Sequence, residues 1–159
     1  MSRKSGHRFS EEDMRERKNR ERIPSHPIES RAVRIHANGG PEVLRPEEIT
    51  VPPPAVGEAR LRQTAIGINF SDINVRRGGF YIARPLQFPV ILGNEAAGVV
   101  ESVGPGVTSV KPGDRVAYAG MRGEFFEQTG AYVEHRNVPA ERLLHIPAGV
   151  SDQQRQRCW

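Results

Sequence analysis

Turn signals partition this chain more tightly than any other feature. Asn38-Gly39-Gly40-Pro41, Pro52-Pro53-Pro54, Gly78-Gly79, Gly104-Pro105-Gly106 and Lys111-Pro112-Gly113-Asp114 interrupt it at short intervals. Proline cannot donate to a sheet ladder, and glycine admits backbone angles that other residues avoid, so each cluster turns the chain or takes it out of a sheet. Long helices do not fit between them. Short strands do. Ala59, Leu61, Gln63 and Ala65 alternate with Arg60, Arg62, Thr64 and Ile66, the period of a half-buried strand with one polar face. Strands are expected over Ala32–Ala37, Val43–Val51, Glu58–Ile68, Ala96–Val103, Arg115–Ala119, Gly130–Val138 and Leu143–Ile146. One short helix is expected, capped by Ser71 or Asp72 and stopped by Gly78-Gly79 after Arg77. Many short strands with regular turns predict a mainly β fold, a closed or partly open barrel.

The rest of the composition narrows the function classes. Residues 1–30 hold eight Lys or Arg against six acids, a net +2 within a whole-chain charge of +4. No apolar residue recurs there at helical spacing, so the segment is expected to be a disordered mixed-charge arm. It lacks the basic stripe and the stacking aromatics that nucleic-acid binding needs. No apolar run approaches the ~20 residues of a membrane span, and the sequence carries no secretory signal pattern. The single cysteine, Cys158, makes no internal disulfide framework, which fits a cytoplasmic setting.

Six motifs then fall in order: GGPEVL at Gly39–Leu44, GINFSD at Gly67–Asp72, GNEAAGVVESVG at Gly93–Gly104, KPGDRVAY at Lys111–Tyr118, GAYVEH at Gly130–His135 and IPAGVS at Ile146–Ser151. Together they resemble the N-terminal domain of the medium-chain dehydrogenase/reductase superfamily, and within it the zinc-free NADPH:quinone oxidoreductases. The resemblance covers about residues 31–150. It implies a GroES-like, partly open β-barrel with short helices, paired in full-length members with a Rossmann domain that this chain lacks. Residues 151–159 do not resemble the family and read as an atypical truncated tail. The expected activity is NADPH-dependent hydride transfer to quinones or related activated carbonyls. This chain would be the substrate-side domain, inactive alone, with oligomers formed with full-length relatives. The alternative is a non-catalytic fragment that binds a full-length paralogue or another protein partner.

The same resemblance supplies site residues. Asn69 stands where zinc alcohol dehydrogenases carry a cysteine, and Asn94 where they carry a histidine. Neither amide is a usual zinc ligand, so no metal is expected. Asn69 corresponds to the family asparagine beside the nicotinamide and is the expected catalytic and cofactor-binding residue. Asp72, from the same motif, is a cofactor-side candidate or a helix cap. Tyr81 is the second catalytic candidate, a phenol able to donate to a quinone oxygen. The glycines from Gly93 to Gly106 are expected to be backbone devices, since no G-x-G-x-x-G here follows a strand and opens a helix.

Overall fold

The computed structural model describes residues 26–79, 86–120 and 130–151. The strands are β1 (Ile28–Ile35), β2 (Arg45–Val51), β3 (Glu58–Ile66), β4 (Val90–Ile91), β5 (Glu95–Val103), β6 (Arg115–Ala119), β7 (His135–Pro139) and β8 (Leu144–His145). The helix α1 covers Phe70–Arg77. Short 3-10 turns occupy Pro41–Val43 and Ala140–Arg142.

Every pairing is antiparallel. One sheet runs β2-β1-β4 and the other β7-β3-β5-β6-β8. The two do not close into a barrel. They meet where Val33 N–H donates to the Tyr132 carbonyl at 2.8 Å and Glu134 N–H to the Arg31 carbonyl at 2.9 Å. The mainly β expectation holds, in the form of two joined sheets.

The main core lies on one face of the larger sheet, where Ala59, Leu61, Val100, Val116, Tyr118 and Val138 pack together. Each aliphatic side chain so buried contributes about 1.5–3 kcal/mol relative to exposure. A second cluster of Ile35, Val75 and Leu92 fastens α1 against β1.

Several expectations shift. β1 starts at Ile28, inside the segment read as an arm, because Ile28–Ser30 pair with Ile49–Val51. The return strand starts at Arg45, after the 3-10 turn. The strand expected over Gly130–Val138 shortens to β7, with only an isolated bridge between Ala32 and Val133 ahead of it. Arg60, assigned to a polar solvent face, is 1% exposed. β3 is an inner strand, and Arg60 lies between Ser102 of β5 and Asn137 of β7. The arm before residue 26 and the tail after 151 lie outside the described residues.

Candidate active site

Three segments converge at the start of α1. The chain leaves β3 at Ile66, runs through Gly67 and Ile68, and enters the helix at Asn69. Asn94 and Glu95 arrive at the head of β5. Tyr132 is placed by its N–H donating to the Leu92 carbonyl at 2.8 Å.

Asn69 is the N-cap, in extended conformation, and Asp72 is the third helical residue. The Asp72 Oδ2 accepts the Asn69 backbone N–H at 2.9 Å. The Asp72 backbone N–H in return donates to the Asn69 backbone carbonyl at 3.0 Å and faces the Asn69 side chain, the arrangement of a capping box. The expectation that Ser71 or Asp72 occupies the cap position is therefore corrected: Asn69 is the cap. At the other end, Gly78 adopts φ 75°, the left-handed stop that glycine permits. The Asn38 Nδ2 donates to the Val75 and Arg76 carbonyls at 3.2 and 3.1 Å, closing that end.

Asp72 does more than return the cap. Its Oδ2 also accepts the Tyr132 hydroxyl at 2.9 Å, and its Oδ1 accepts the Asn94 Nδ2 at 3.4 Å. The same Asn94 nitrogen reaches the Ser71 Oγ at 3.3 Å. Asp72 is 3% exposed, so its carboxylate is a buried hub fed by three donors. Asn69 sits half-buried at the edge of this hub. Its Nδ2 donates to the Glu95 Oε1 at 3.0 Å, and Glu95 is itself buried. On either side of Asn69, Ile68 and Phe70 stand out into solvent at 81% and 73% exposure. The result is a polar amide at the centre of an apolar shoulder.

Burial, reinforced by the bond to Asp72, pushes the Tyr132 phenol well above the usual tyrosine value. Burial also raises that of Tyr118. A raised acid in the folded state favours folding while the phenol keeps its proton, and that contribution is lost as pH climbs past ~10, where the unfolded tyrosine ionises. We expect the urea midpoint to fall above that pH and to fall less steeply in Tyr132→Phe. Equal alkaline slopes for the two proteins would remove the Tyr132–Asp72 bond from the account.

The sequence candidates thus have distinct fates. Asn69 is brought to a partly open position with an amide. Asp72 is buried with both oxygens engaged. Tyr81 lies outside the described residues. Sequence reasoning gives Tyr132, Asn94 and Glu95 no part in this network, and the signal that marks all three is their place inside the GAYVEH and GNEAAG motifs.

Metal and nucleotide can be tested against these groups. Among the described residues, no three His, Cys, Asp or Glu come together to hold a metal ion. Asn94 turns its nitrogen to Asp72 and Ser71. The positive end of α1 already holds the Asp72 carboxylate, so it offers no seat for a pyrophosphate. The exposed side chains of Ile68 and Phe70 and the Asn69 amide offer an apolar contact and a hydrogen bond, the chemistry a nicotinamide ring takes, and no charge for a dinucleotide's phosphates.

Residues 55–148 match the family model of the alcohol dehydrogenase GroES-like domain. The chain belongs to this family. The relatives it is similar to include quinone oxidoreductases and a 2-haloacrylate reductase. Quinone oxidoreductase 1 of Escherichia coli is 41% identical over 122 residues, which is 77% of this chain and 35% of that protein. The 2-haloacrylate reductase of a Burkholderia species is 44% identical over 116 residues, 71% of this chain and 32% of that protein. Among solved structures, the Escherichia coli quinone oxidoreductase complexed with NADPH superposes with a TM-score of 0.72 at 39% identity, covering 81% of this chain and 37% of that one. The human synaptic vesicle membrane protein VAT-1 homolog-like protein superposes with a TM-score of 0.70 at 34% identity, covering 79% and 38%. The GroES-like chain spans about a third of the length of the curated relatives it matches.

Proposed function

We propose that this chain is the substrate-side domain of an NADPH-dependent, zinc-independent reductase of quinones or related activated carbonyls. The observation that carries the reading is the half-buried Asn69 amide, held by a capping box and by Glu95 in the middle of an exposed apolar shoulder. NADPH, when bound, supplies the hydride. The protein's share is to position the rings and stabilise negative charge as it develops on the acceptor oxygen. An amide N–H can do that in a site without a metal. Asn69 donates toward that oxygen or toward the nicotinamide carboxamide. Ile68 and Phe70 exclude water from one side of the rings. Asp72 acts through Asn69, since its own oxygens are occupied. Tyr81 is the proposed second donor. The acceptor is a small molecule, and neither nucleic acid nor a membrane is a partner. The setting is cytoplasmic, and full-length relatives are the candidate oligomer partners.

The relatives' lengths and the filled helix N-terminus lead us to expect that the 159-residue polypeptide alone turns over little NADPH. A hybrid tests both halves of the reading: the matching third of the Escherichia coli enzyme is replaced by residues 28–151 of this chain. We expect NADPH-dependent quinone reduction, falling about a hundredfold to a thousandfold in Asn69→Ala, the range for one lost electrostatic donor. An active hybrid indifferent to Asn69→Ala would overturn the residue's role. Rapid turnover by the isolated chain would overturn the division of labour, and one zinc per chain would overturn the metal-free reading.

The exposure of Ile68 and Phe70 also favours a second reading, in which this shoulder docks a protein partner such as a full-length paralogue. Co-purification that is lost in Ile68→Asp, with no effect of Asn69→Ala, would support it.

A further inference from the structure

We infer that Glu95 is a positioning residue that fixes which end of the Asn69 amide faces outward. This deepens the proposed function and rests on it. An asparagine amide has two N–H donors and one acceptor oxygen, and the two ends are similar in shape. Two neighbours decide the matter here. The capping box turns the Asn69 side-chain oxygen toward the backbone N–H of Asp72. Glu95, an acceptor-only carboxylate, takes one Nδ2 proton through its Oε1 at 3.0 Å. What remains is the second Nδ2 proton, so the group offered to an acceptor is a donor.

Gly67 shows that the fold reserves space for this contact. A Cβ on Gly67 would overlap the Glu95 Oε1 and stand 2.7 Å from its Cδ. Gly67 does not appear among the positive-φ glycines, so its small size rather than its backbone freedom is what the position uses. The Gly67 N–H also donates to the Glu95 carbonyl at 3.1 Å, locking the two segments together. Any side chain at 67 displaces the carboxylate from the amide. Gly67, Asn69 and Glu95 therefore form one device: a gap, a carboxylate that fills it and an amide whose polarity the carboxylate sets. The charge matters as well as the shape, because a bond to an ionised acceptor is about twice as strong as a neutral one.

The device can be read in the 159-residue chain without turnover, from the Asn69 side-chain amide resonances in a 15N spectrum, assigned by their loss in Asn69→Asp. In the wild type, one Asn69 proton should exchange about tenfold more slowly than a free side-chain amide, the factor a charge-assisted hydrogen bond supports. Glu95→Ala and Gly67→Ala should abolish that protection while the backbone spectrum stays dispersed. Glu95→Gln, which still offers a carbonyl of the same shape, should restore part of it. Unchanged protection in a folded Glu95→Ala protein would overturn the inference, as would a loss in Glu95→Gln equal to that in Glu95→Ala. The functional reading is probed separately with duroquinone. If the Asn69 signals obey these rules but do not move on adding the quinone, the positioning holds and the substrate assignment fails.

Discussion

Asp72→Ala should lower the unfolding free energy of this chain by about 2–4 kcal/mol, as read from urea denaturation. The figure has two sources. Losing the return half of a capping box costs about 1 kcal/mol. Removing the buried acceptor also strands the Tyr132 hydroxyl bonded to it in the native protein, at about 1–3 kcal/mol for a stranded buried donor, while the Asn94 amide keeps the Ser71 Oγ. Tyr132 is only half-buried, which puts its share at the low end. A double-mutant cycle separates the sources. In a Tyr132→Phe background there is no phenol to strand, so Asp72→Ala should cost less, by about 0.5–1.5 kcal/mol. An identical cost in both backgrounds would mean that Asp72 acts through the cap alone. Asp72→Asn should fall between, because an amide oxygen accepts but bears no charge. If Asp72 merely caps a surface helix, all of these differences shrink below about 1 kcal/mol, and the hub ceases to explain how Asn69 is held.

How far the sequence reached depends on the range of the interactions involved. β6 at Arg115–Ala119 and the helix stop at Gly78 are set by local signals: a turn at Lys111–Asp114 ahead of one, a glycine able to take positive φ at the other. Both were legible. The cap was not, because Asn69, Ser71 and Asp72 are all cap-competent types within four residues. Nothing in the types chooses among them, and the bond that ties the Asn69 side chain to β5 comes from Glu95, 26 positions away in the sequence. Tyr132 is further still from Asp72, at 60 positions, and no periodicity reports such a bond. Arg60 failed for a related reason. Alternation gives the face a side chain takes, but whether that face meets water depends on which strands flank it. The family resemblance points to Asn69 as a candidate; only the assembled sheets show that a carboxylate sits beside it.

Gly104 and Gly106 should respond very differently to the same substitution, although the sequence presents them as one turn. Gly106 has φ 81°, and a Cβ added there would meet nothing within 4 Å. Alanine at 106 suffers only the left-handed backbone penalty, about 1–2 kcal/mol. Gly104 is outside the positive-φ set, so its backbone would accept alanine. Its surroundings would not. A Cβ on Gly104 would overlap the Ala55 carbonyl oxygen and lie 2.8 Å from the carbonyl carbon and 2.9 Å from the Pro54 oxygen. These are backbone atoms, unable to swing aside as a side chain does. They are also fixed in place: Gly104 N–H donates to the Glu58 carbonyl at 2.7 Å, Glu58 N–H to the Ala55 carbonyl at 3.0 Å, and Gly57 N–H to the Pro105 carbonyl at 3.0 Å. Relieving the clash means parting the start of β3 from the end of β5, the central pair of the larger sheet. Overpacking that moves backbone costs about 1–3 kcal/mol and occasionally more, and a clash with two fixed carbonyls belongs at the upper end. Gly104→Ala should therefore lower the urea midpoint well beyond Gly106→Ala, and amide exchange at Ala59 and Val103, which pair across this junction, should accelerate in the first variant and not in the second. Equal costs would mean that the Pro52–Ala55 loop yields freely and does not brace the β3–β5 edge.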